Sequence, residues 1–182
     1  MDIIEGSHGT SISRASNIRK NGWKMQPGMA GTGIYFWAKS IYYIELAQAW
    51  YRQAKAEERY RDDDNIACCI ILVHIKCKED EMLDIETEGV RLNILKLAIE
   101  KKVNVKSHKA IAPVFDLYVK RLEEKAGIKY KVLSIKVPTP RKDYFEVDYP
   151  YNILGSPLCM VVRDNNPDDI IDIIEARELR DE

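Results

Sequence analysis

Three short segments of the sequence carry residues that could bind a nucleotide and act on its sugar. His8, Gly9 and Thr10 follow an apolar stretch, so the imidazole is expected at the end of a first strand. Residues 31–37, Gly-Thr-Gly-Ile-Tyr-Phe-Trp, form a glycine-lined loop that runs into a short aromatic strand. A late apolar strand lies within residues 157–164. We interpret these segments as the walls of one pocket.

These residue types suit the binding of NAD and the cleavage of its nicotinamide–ribose bond. Nicotinamide is a cationic leaving group, so its departure needs a held conformation and a stabilised oxocarbenium-like ribose instead of a general acid. His8 can hydrogen-bond a ribose hydroxyl. Gly9 lets its backbone N–H and C=O approach the carboxamide closely. Tyr35 can stack on the nicotinamide ring at a modest entropic cost.

The order and spacing of these motifs resemble the ADP-ribosyltransferase superfamily. His-Gly-Thr at 8–10, Gly-x-Gly-Ile-Tyr-Phe at 31–36 and a following helix with Ala47 and Trp50 are similar to the branch of diphtheria toxin and the poly-ADP-ribose polymerases. The signature of that branch is His, Tyr and a late Glu. The resemblance covers residues 3–55 well. It implies an α+β fold of two packed, antiparallel-rich sheets flanked by helices around an NAD cleft.

The resemblance also assigns roles to individual residues. It implies that His8 binds the NAD ribose, Gly9 the carboxamide and Tyr35 the nicotinamide ring. The helix after Tyr35 usually lends a further ring to this pocket, and either Tyr42 or Tyr43 lies at about the right place. The candidate NAD-contacting residues are therefore His8, Gly9, Thr10, Arg19, Gly33, Tyr35 and Tyr43.

The late glutamate of that signature has no direct counterpart in this sequence. Leu158 or Cys159 stands where it would open the late strand, and the nearest earlier acid is Glu146, twelve residues before Leu158. Either Glu146 folds in to serve, or the protein resembles members with an apolar residue at this position. Such members generally transfer one ADP-ribose instead of building chains. The predicted catalytic residues are His8, Tyr35 and Glu146.

Composition predicts a soluble globular protein. The 182 residues are 46% apolar and carry a formal net charge of -1, which gives no global basic excess for nucleic acid. The N-terminus has no basic lead, and the apolar run over 66–75 is far shorter than the roughly 20 residues of a spanning helix. We therefore expect a cytoplasmic protein. Its four cysteines lack zinc-site spacing, so we expect buried, reduced thiols and no metal.

Periodicity and turn residues predict an α+β order within a single domain over residues 1–182. Helices are expected over 14–20, 40–61, 88–101 and 113–125, the last one starting at Pro113. Strands are expected over 2–6, 34–37, 66–77, 82–85, 129–137, 145–147, 158–163 and 170–175. The segment at about 88–127 would be a helical insertion.

Two basic groups could contact a polyanion. The first is a run between two predicted helices, which comprises Lys101, Lys102, Lys106, His108 and Lys109. The second lies near the predicted pocket, comprises Arg19, Lys20 and Lys24, and could hold the NAD pyrophosphate or a nucleic-acid target.

These features favour a small mono-ADP-ribosyltransferase that uses NAD to modify RNA, DNA or protein, with nucleic acid slightly favoured. The chain resembles stand-alone bacterial or phage effectors, many of which are toxins, so we predict a neutralising antitoxin or chaperone-like partner. One alternative is an NAD- or ADP-ribose-binding module of the same fold without catalysis. Another is an enzyme that moves a 2′-phosphate from RNA to NAD.

Overall fold

The computed structural model describes residues 1–105 and 107–179 of the chain, which form an α+β structure. Its strands are β1 (Asp2–Ser11), β2 (Gln26–Gly28), β3 (Gly31–Ala38), β4 (Cys68–Cys77), β5 (Met82–Asp84), β6 (Val132–Lys136), β7 (Leu158–Val162) and β8 (Ile171–Leu179). Its α-helices are α1 (Ile12–Asn21), α2 (Tyr43–Ala56), α3 (Glu88–Glu100), α4 (His108–Ala126) and α5 (Tyr151–Leu154).

The strands form one sheet in the order β5-β6-β7-β3-β1-β4-β8, and β2 pairs with β3 as an added hairpin. Among the described strands all pairings are antiparallel except β5–β6, whose parallel arrangement is made possible by the long α3–α4 crossover. The expected antiparallel-rich α+β class is confirmed. The expectation of two separate packed sheets differs from the structure, because hydrogen bonding runs through a single sheet.

That single sheet is narrow at its centre. β1 pairs with β4 over ten residue pairs, but with β3 over two, Gly6 with Ala38 and Ser7 with Trp37. Beyond Ser7 and Trp37 no further residue pairs form between the two strands, and we call this unpaired stretch of β1 and β3 the seam. Among the described strands, the ladder between the two halves of the sheet is therefore limited to this short β1–β3 pairing and the adjoining hydrogen bond from the Lys39 N–H to the Glu5 carbonyl.

Helices cover the two faces of the sheet unequally. α2, α3 and α4 pack on one face, where Leu46, Ile94 and Val119 belong to a single buried apolar cluster. α1 and Trp23 cover the opposite face. Successive β4 side chains alternate between these two clusters, as the pleat of a strand requires. β4 is therefore a strand buried on both faces, and the prediction made from its continuous apolar run is confirmed.

The helix boundaries follow capping residues. Ser11 caps α1, since its Oγ accepts a hydrogen bond from the Arg14 N–H at 3.1 Å. The predicted start of α4 at Pro113 is wrong. The helix begins five residues earlier, after Ser107, whose Oγ accepts from the Ala110 N–H at 3.3 Å. Pro113 removes one N–H from the helix ladder, and burial of the adjacent Ile111, Ala112 and Val114 favours the helix despite that loss.

Residues 145–147 do not form the predicted strand. A 3-10 turn over Lys142–Tyr144 leads into irregular backbone, which is followed by the short helix α5. This segment lies along α2, where Arg52 donates a hydrogen bond to the Tyr144 carbonyl at 3.1 Å. Side-chain contacts to a helix thus replace the strand ladder that the local sequence predicts. β2 lies outside the predicted strands.

Candidate functional site

His8 lies inside β1 and not at its end, because the strand continues through Ser11. Its ring packs edge-on against Trp23, with centroids 5.4 Å apart, and against Phe36 at 5.8 Å. Nδ1 is 2.9 Å from the carbonyl oxygen of Tyr35. A carbonyl can only accept, so Nδ1 carries the proton and donates. Burial lowers the pKa of His8 below its ordinary value of 6.5, which favours a neutral ring whose Nε2 is an acceptor.

The side chain of His8 makes a hydrogen bond that a backbone N–H would otherwise make. The β1–β3 pairing ends at Ser7 and Trp37. Continuing that register would bring Gly9 opposite Tyr35 and would give the Tyr35 carbonyl to the Gly9 N–H. Instead the carbonyl accepts from the His8 imidazole. His8 therefore supplies the hydrogen bond that the Tyr35 carbonyl of β3 would lack at the start of the seam.

The backbone of Gly9 faces the seam. Across the same junction the Glu5 carbonyl accepts from the Lys39 N–H at 2.9 Å, and backbone groups of alternate residues in a strand point to the same side. The N–H and C=O of Ser7 and Gly9 therefore point toward β3. At Gly9 they form an adjacent donor and acceptor, which is the pattern that recognises a carboxamide.

Gly9 has a packing role as well. A Cβ atom added there would overlap the carbonyl oxygen of Ala47, so the absence of a side chain allows α2 to lie directly on β1. The neighbouring Ser7 hydroxyl donates to the Tyr43 carbonyl at 2.5 Å, at the first residue of α2. The start of α2 is therefore fixed beside the seam.

Tyr35 projects from the other face of the sheet, toward the cluster that α2 and α4 cover. Its hydroxyl donates to the Gly31 carbonyl at 2.6 Å and accepts from the Ala30 N–H at 3.0 Å. Burial raises its pKa well above the ordinary value of 10, so the phenol stays neutral. The rings of His8 and Tyr35 thus lie on opposite faces, and the hydrogen bond from the imidazole to the Tyr35 backbone links the two residues.

The other predicted NAD-contacting residues occupy varied positions. Thr10 is buried and its hydroxyl is bonded to Tyr60. Gly33 allows close packing of β3 on β7, because a Cβ there would be 2.7 Å from the Val162 carbonyl oxygen. Tyr42 packs edge-on against Tyr149, with centroids 5.6 Å apart.

The basic residues that were predicted to lie near the pocket are exposed. Arg19, Lys20 and Lys24 lie on or just after α1, on the sheet face that carries the His8 ring. Lys101 and Lys102 are exposed directly after α3. Lys106 and the side chains of His108 and Lys109 lie outside the described parts of the chain.

Glu146 is exposed and forms an ion pair with Arg52 of α2. Leu158 begins β7, and Cys159 is buried opposite Trp37 of β3. Burial raises the pKa of the Cys159 thiol to about 12, so it is neither a thiolate nor a substitute for a carboxylate. The predicted catalytic role of Glu146 stays a prediction.

Sequence reasoning missed a polar cluster that fixes the loop before Tyr35. Asp116 of α4 accepts from the Thr32 N–H at 2.9 Å and from the Thr32 hydroxyl at 2.7 Å. Arg163, directly after β7, donates to the same carboxylate at 3.2 Å. Asp116 is 84 residues from Thr32, and in the sequence it is an ordinary polar position of an amphipathic helix. No feature of the sequence around either residue indicates this contact.

Two open cavities, of about 150 and 270 Å³, lie beside α3 and α4, and none of their lining residues is a predicted NAD-contacting residue. Within residues 1–105 and 107–179 no helix is long and apolar enough to span a bilayer, and no three His, Cys, Asp or Glu side chains form a metal-binding group. The four cysteines are buried and are not joined in disulfides.

Comparison of the chain with models of known families, with curated proteins and with solved structures finds no match. Function must therefore be inferred from the residues themselves and their geometry.

Proposed function

We propose that the protein is a mono-ADP-ribosyltransferase that cleaves NAD and transfers its ADP-ribose to a macromolecule. The observation that carries this proposal is the seam. There the His8 imidazole donates to the Tyr35 carbonyl, and the β1–β3 pairing that would engage the backbone N–H and C=O of Gly9 has ended. These three residues are the ones that the resemblance to ADP-ribosyltransferases selects.

Each group at the seam has a complementary group on NAD. The N–H and C=O of Gly9 match the C=O and NH₂ of the nicotinamide carboxamide. A neutral His8 offers Nε2 as an acceptor for a ribose hydroxyl, since Nδ1 donates to Tyr35. The proposal assigns the further ring to Tyr43, the first residue of α2, whose carbonyl accepts a hydrogen bond from the Ser7 hydroxyl.

The wider fold supports the same proposal. The β1–β3 residue pairs are limited to Gly6–Ala38 and Ser7–Trp37, and we propose that the two halves of the single sheet take the role of the two sheets that the resemblance implies. The seam between them is the cleft in this interpretation.

In the proposed reaction the C1′–nitrogen bond of NAD breaks and its electron pair leaves with nicotinamide, which becomes neutral. A nucleophile of the acceptor then bonds to C1′ and loses its proton to solvent or to a nearby base. Stabilisation of the positively charged ribose would come from a carboxylate or from backbone oxygens. Glu146 can serve only if its ion pair with Arg52 opens. An apolar residue at position 158 agrees with transfer of a single ADP-ribose.

The acceptor is proposed to be nucleic acid in preference to protein. Arg19, Lys20 and Lys24 are exposed on the His8 side of the sheet, and Lys101 and Lys102 are exposed after α3. An enzyme of this kind would modify the nucleic acid of its own cell if it were left active. We therefore also propose a neutralising partner that inhibits it.

The test is transfer of label from adenylate-labelled NAD, offered separately to RNA, single-stranded DNA and protein. We expect label on one class of acceptor with the wild-type chain and none with His8→Ala. His74→Ala is the matched control, because His74 is also a partly buried histidine on a central strand. Free nicotinamide without labelled acceptor would indicate an NAD hydrolase and would contradict the proposed transfer.

A second candidate function is an NAD- or ADP-ribose-binding module without catalysis. It is favoured by Leu158 at the glutamate position and by the engagement of Glu146 with Arg52 on the surface. Calorimetric binding of NAD without release of nicotinamide would support this candidate over the transferase.

A further inference from the structure

The hydroxyl of Tyr35 is held by the turn that precedes β3 and not by the sheet. It donates to the Gly31 carbonyl and accepts from the Ala30 N–H. The ring also lies against Gly28, where an added Cβ would overlap it. The position of this aromatic ring therefore depends on the conformation of residues 28–32.

The conformation of that turn is in turn fixed by hydrogen bonds to α4. Asp116 accepts two hydrogen bonds from Thr32, one from the N–H and one from the hydroxyl, at 2.9 and 2.7 Å. Gly31 adopts a φ of 95°, and a Cβ there would be 2.6 Å from the Asp116 carboxylate. A single carboxylate thus holds the turn from the side of the helical insertion.

Asp116 also pairs with the guanidinium of Arg163. Its Nη2 donates to Asp116 at 3.2 Å, while Nε and Nη1 are buried and have no hydrogen-bond partner among the described residues. Its side chain is 14% exposed. Asp116 is therefore the counter-charge of a largely buried guanidinium, and its loss would leave that cation unpaired.

We propose that Asp116 is a positioning residue for NAD, acting through Thr32 and the 28–32 turn to hold Tyr35 in the orientation that binds nicotinamide. The role rests on the proposed function. It assigns a task to the insertion between β5 and β6, because α4 supplies the group that fixes one wall of the site.

The experiment compares four variants of the full chain with the wild type. Asp116→Ala removes the carboxylate. Thr32→Val removes only the hydroxyl bond and leaves Asp116 and Arg163 paired, so it remains informative if Asp116→Ala fails to fold. Thr32→Ser keeps the hydroxyl. Glu123→Ala is the matched control, because Glu123 is a carboxylate of α4 that accepts from the Tyr130 N–H at 3.0 Å and from Lys129 at 3.2 Å.

Two quantities are measured, hydrogen exchange of residues 28–36 and the steady-state KM and kcat for NAD. We expect Thr32→Val to speed the exchange and to raise KM roughly three- to tenfold, the range of one lost hydrogen bond, with kcat little changed. Asp116→Ala should exceed this effect. Thr32→Ser should restore both quantities, and Glu123→Ala should leave both at wild-type values. A merely structural role would lower the folded fraction, and so the apparent kcat, without changing KM.

The outcomes separate this role from the proposed function. A wild-type chain that turns over NAD, combined with a wild-type KM in Thr32→Val and Asp116→Ala, would overturn the positioning role alone. Unchanged exchange of residues 28–36 in both variants would do the same. A wild-type chain that neither binds nor cleaves NAD would refute the proposed function, and the positioning role would fall with it.

Discussion

At the scale of single residues, the two nitrogens of the His8 ring have separate tasks. Nδ1 donates to the Tyr35 carbonyl, which has lost its ladder partner at the seam. Nε2 is left as the acceptor that a ribose hydroxyl would use in the proposed site. Structural and chemical contributions of this residue can therefore be separated by choosing which nitrogen a substitution imitates.

His8→Asn and His8→Ala are expected to differ in stability but not in activity. Asparagine can donate to the Tyr35 carbonyl from its side-chain amide, whereas alanine leaves a carbonyl without a donor. The free energy of unfolding should fall by about 1–3 kcal/mol in His8→Ala and by less in His8→Asn. NAD turnover should be lost in both, because neither side chain reproduces Nε2. Urea unfolding and nicotinamide release measure the two effects, and full turnover by either variant would contradict the assignment.

The depressed pKa of His8 also predicts how stability depends on pH. Burial holds the folded pKa below 6.5, so between that pKa and 6.5 the unfolded chain binds more protons than the folded one. The contribution of the neutral ring is complete above pH 6.5 and is lost as the pH falls below it. The stability advantage of the wild type over His8→Asn should therefore shrink from pH 7.5 to pH 5.5, measured by urea unfolding. A constant difference would show that His8 does not titrate abnormally.

At the scale of elements, β1 and α2 are in close backbone contact at Gly9, where there is no room for a side chain. Gly9 lies directly under the Ala47 carbonyl, and Ser7 bonds the first residue of α2. The same contact sets how far α2 stands from the seam. Packing of the helix and geometry of the proposed pocket are therefore coupled at Gly9.

Gly9→Ala is expected to destabilise the fold by about 2–4 kcal/mol, since the helix must shift to admit a methyl group. The matched control is Gly89→Ala in α3, where an added Cβ has no atom within 4 Å. That substitution should stabilise the protein by about 0.5–1 kcal/mol, because alanine is the better helix former. Thermal and urea unfolding of both variants provide the comparison. Equal effects would mean that α2 accommodates the methyl group without cost.

Local signals predicted the elements well and their contacts poorly. The helix predicted over 14–20 and the strand predicted over 66–77 depend on a few adjacent residues, and α1 and β4 confirm both. The start of α4 was predicted wrongly because Pro113 is typical of a first helical position, whereas the helix begins after Ser107. The Thr32–Asp116 contact spans 84 residues, and the seam depends on the register between β1 and β3. Neither can be derived from a window of neighbouring residues.

At the scale of the whole molecule, the sheet is two halves with a narrow junction. One half is β1-β4-β8 and the other is β3-β7-β6-β5. Gly6 and Ser7 have partners in β3 on one side and in β4 on the other. Both buried apolar clusters contain residues of each half, so the two halves share their cores on both faces of the sheet.

The nonlocal pairing of β3 affects the order in which the chain can fold during translation. β3 ends at Ala38, yet its long partner is β7, which begins at Leu158. Translation must therefore continue for about 120 residues, from Ala38 to Leu158, before Tyr35 can pair with β7. Nascent chains would carry the His8 and Tyr35 motifs without an assembled site, and any activity would begin only after β7 has left the ribosome.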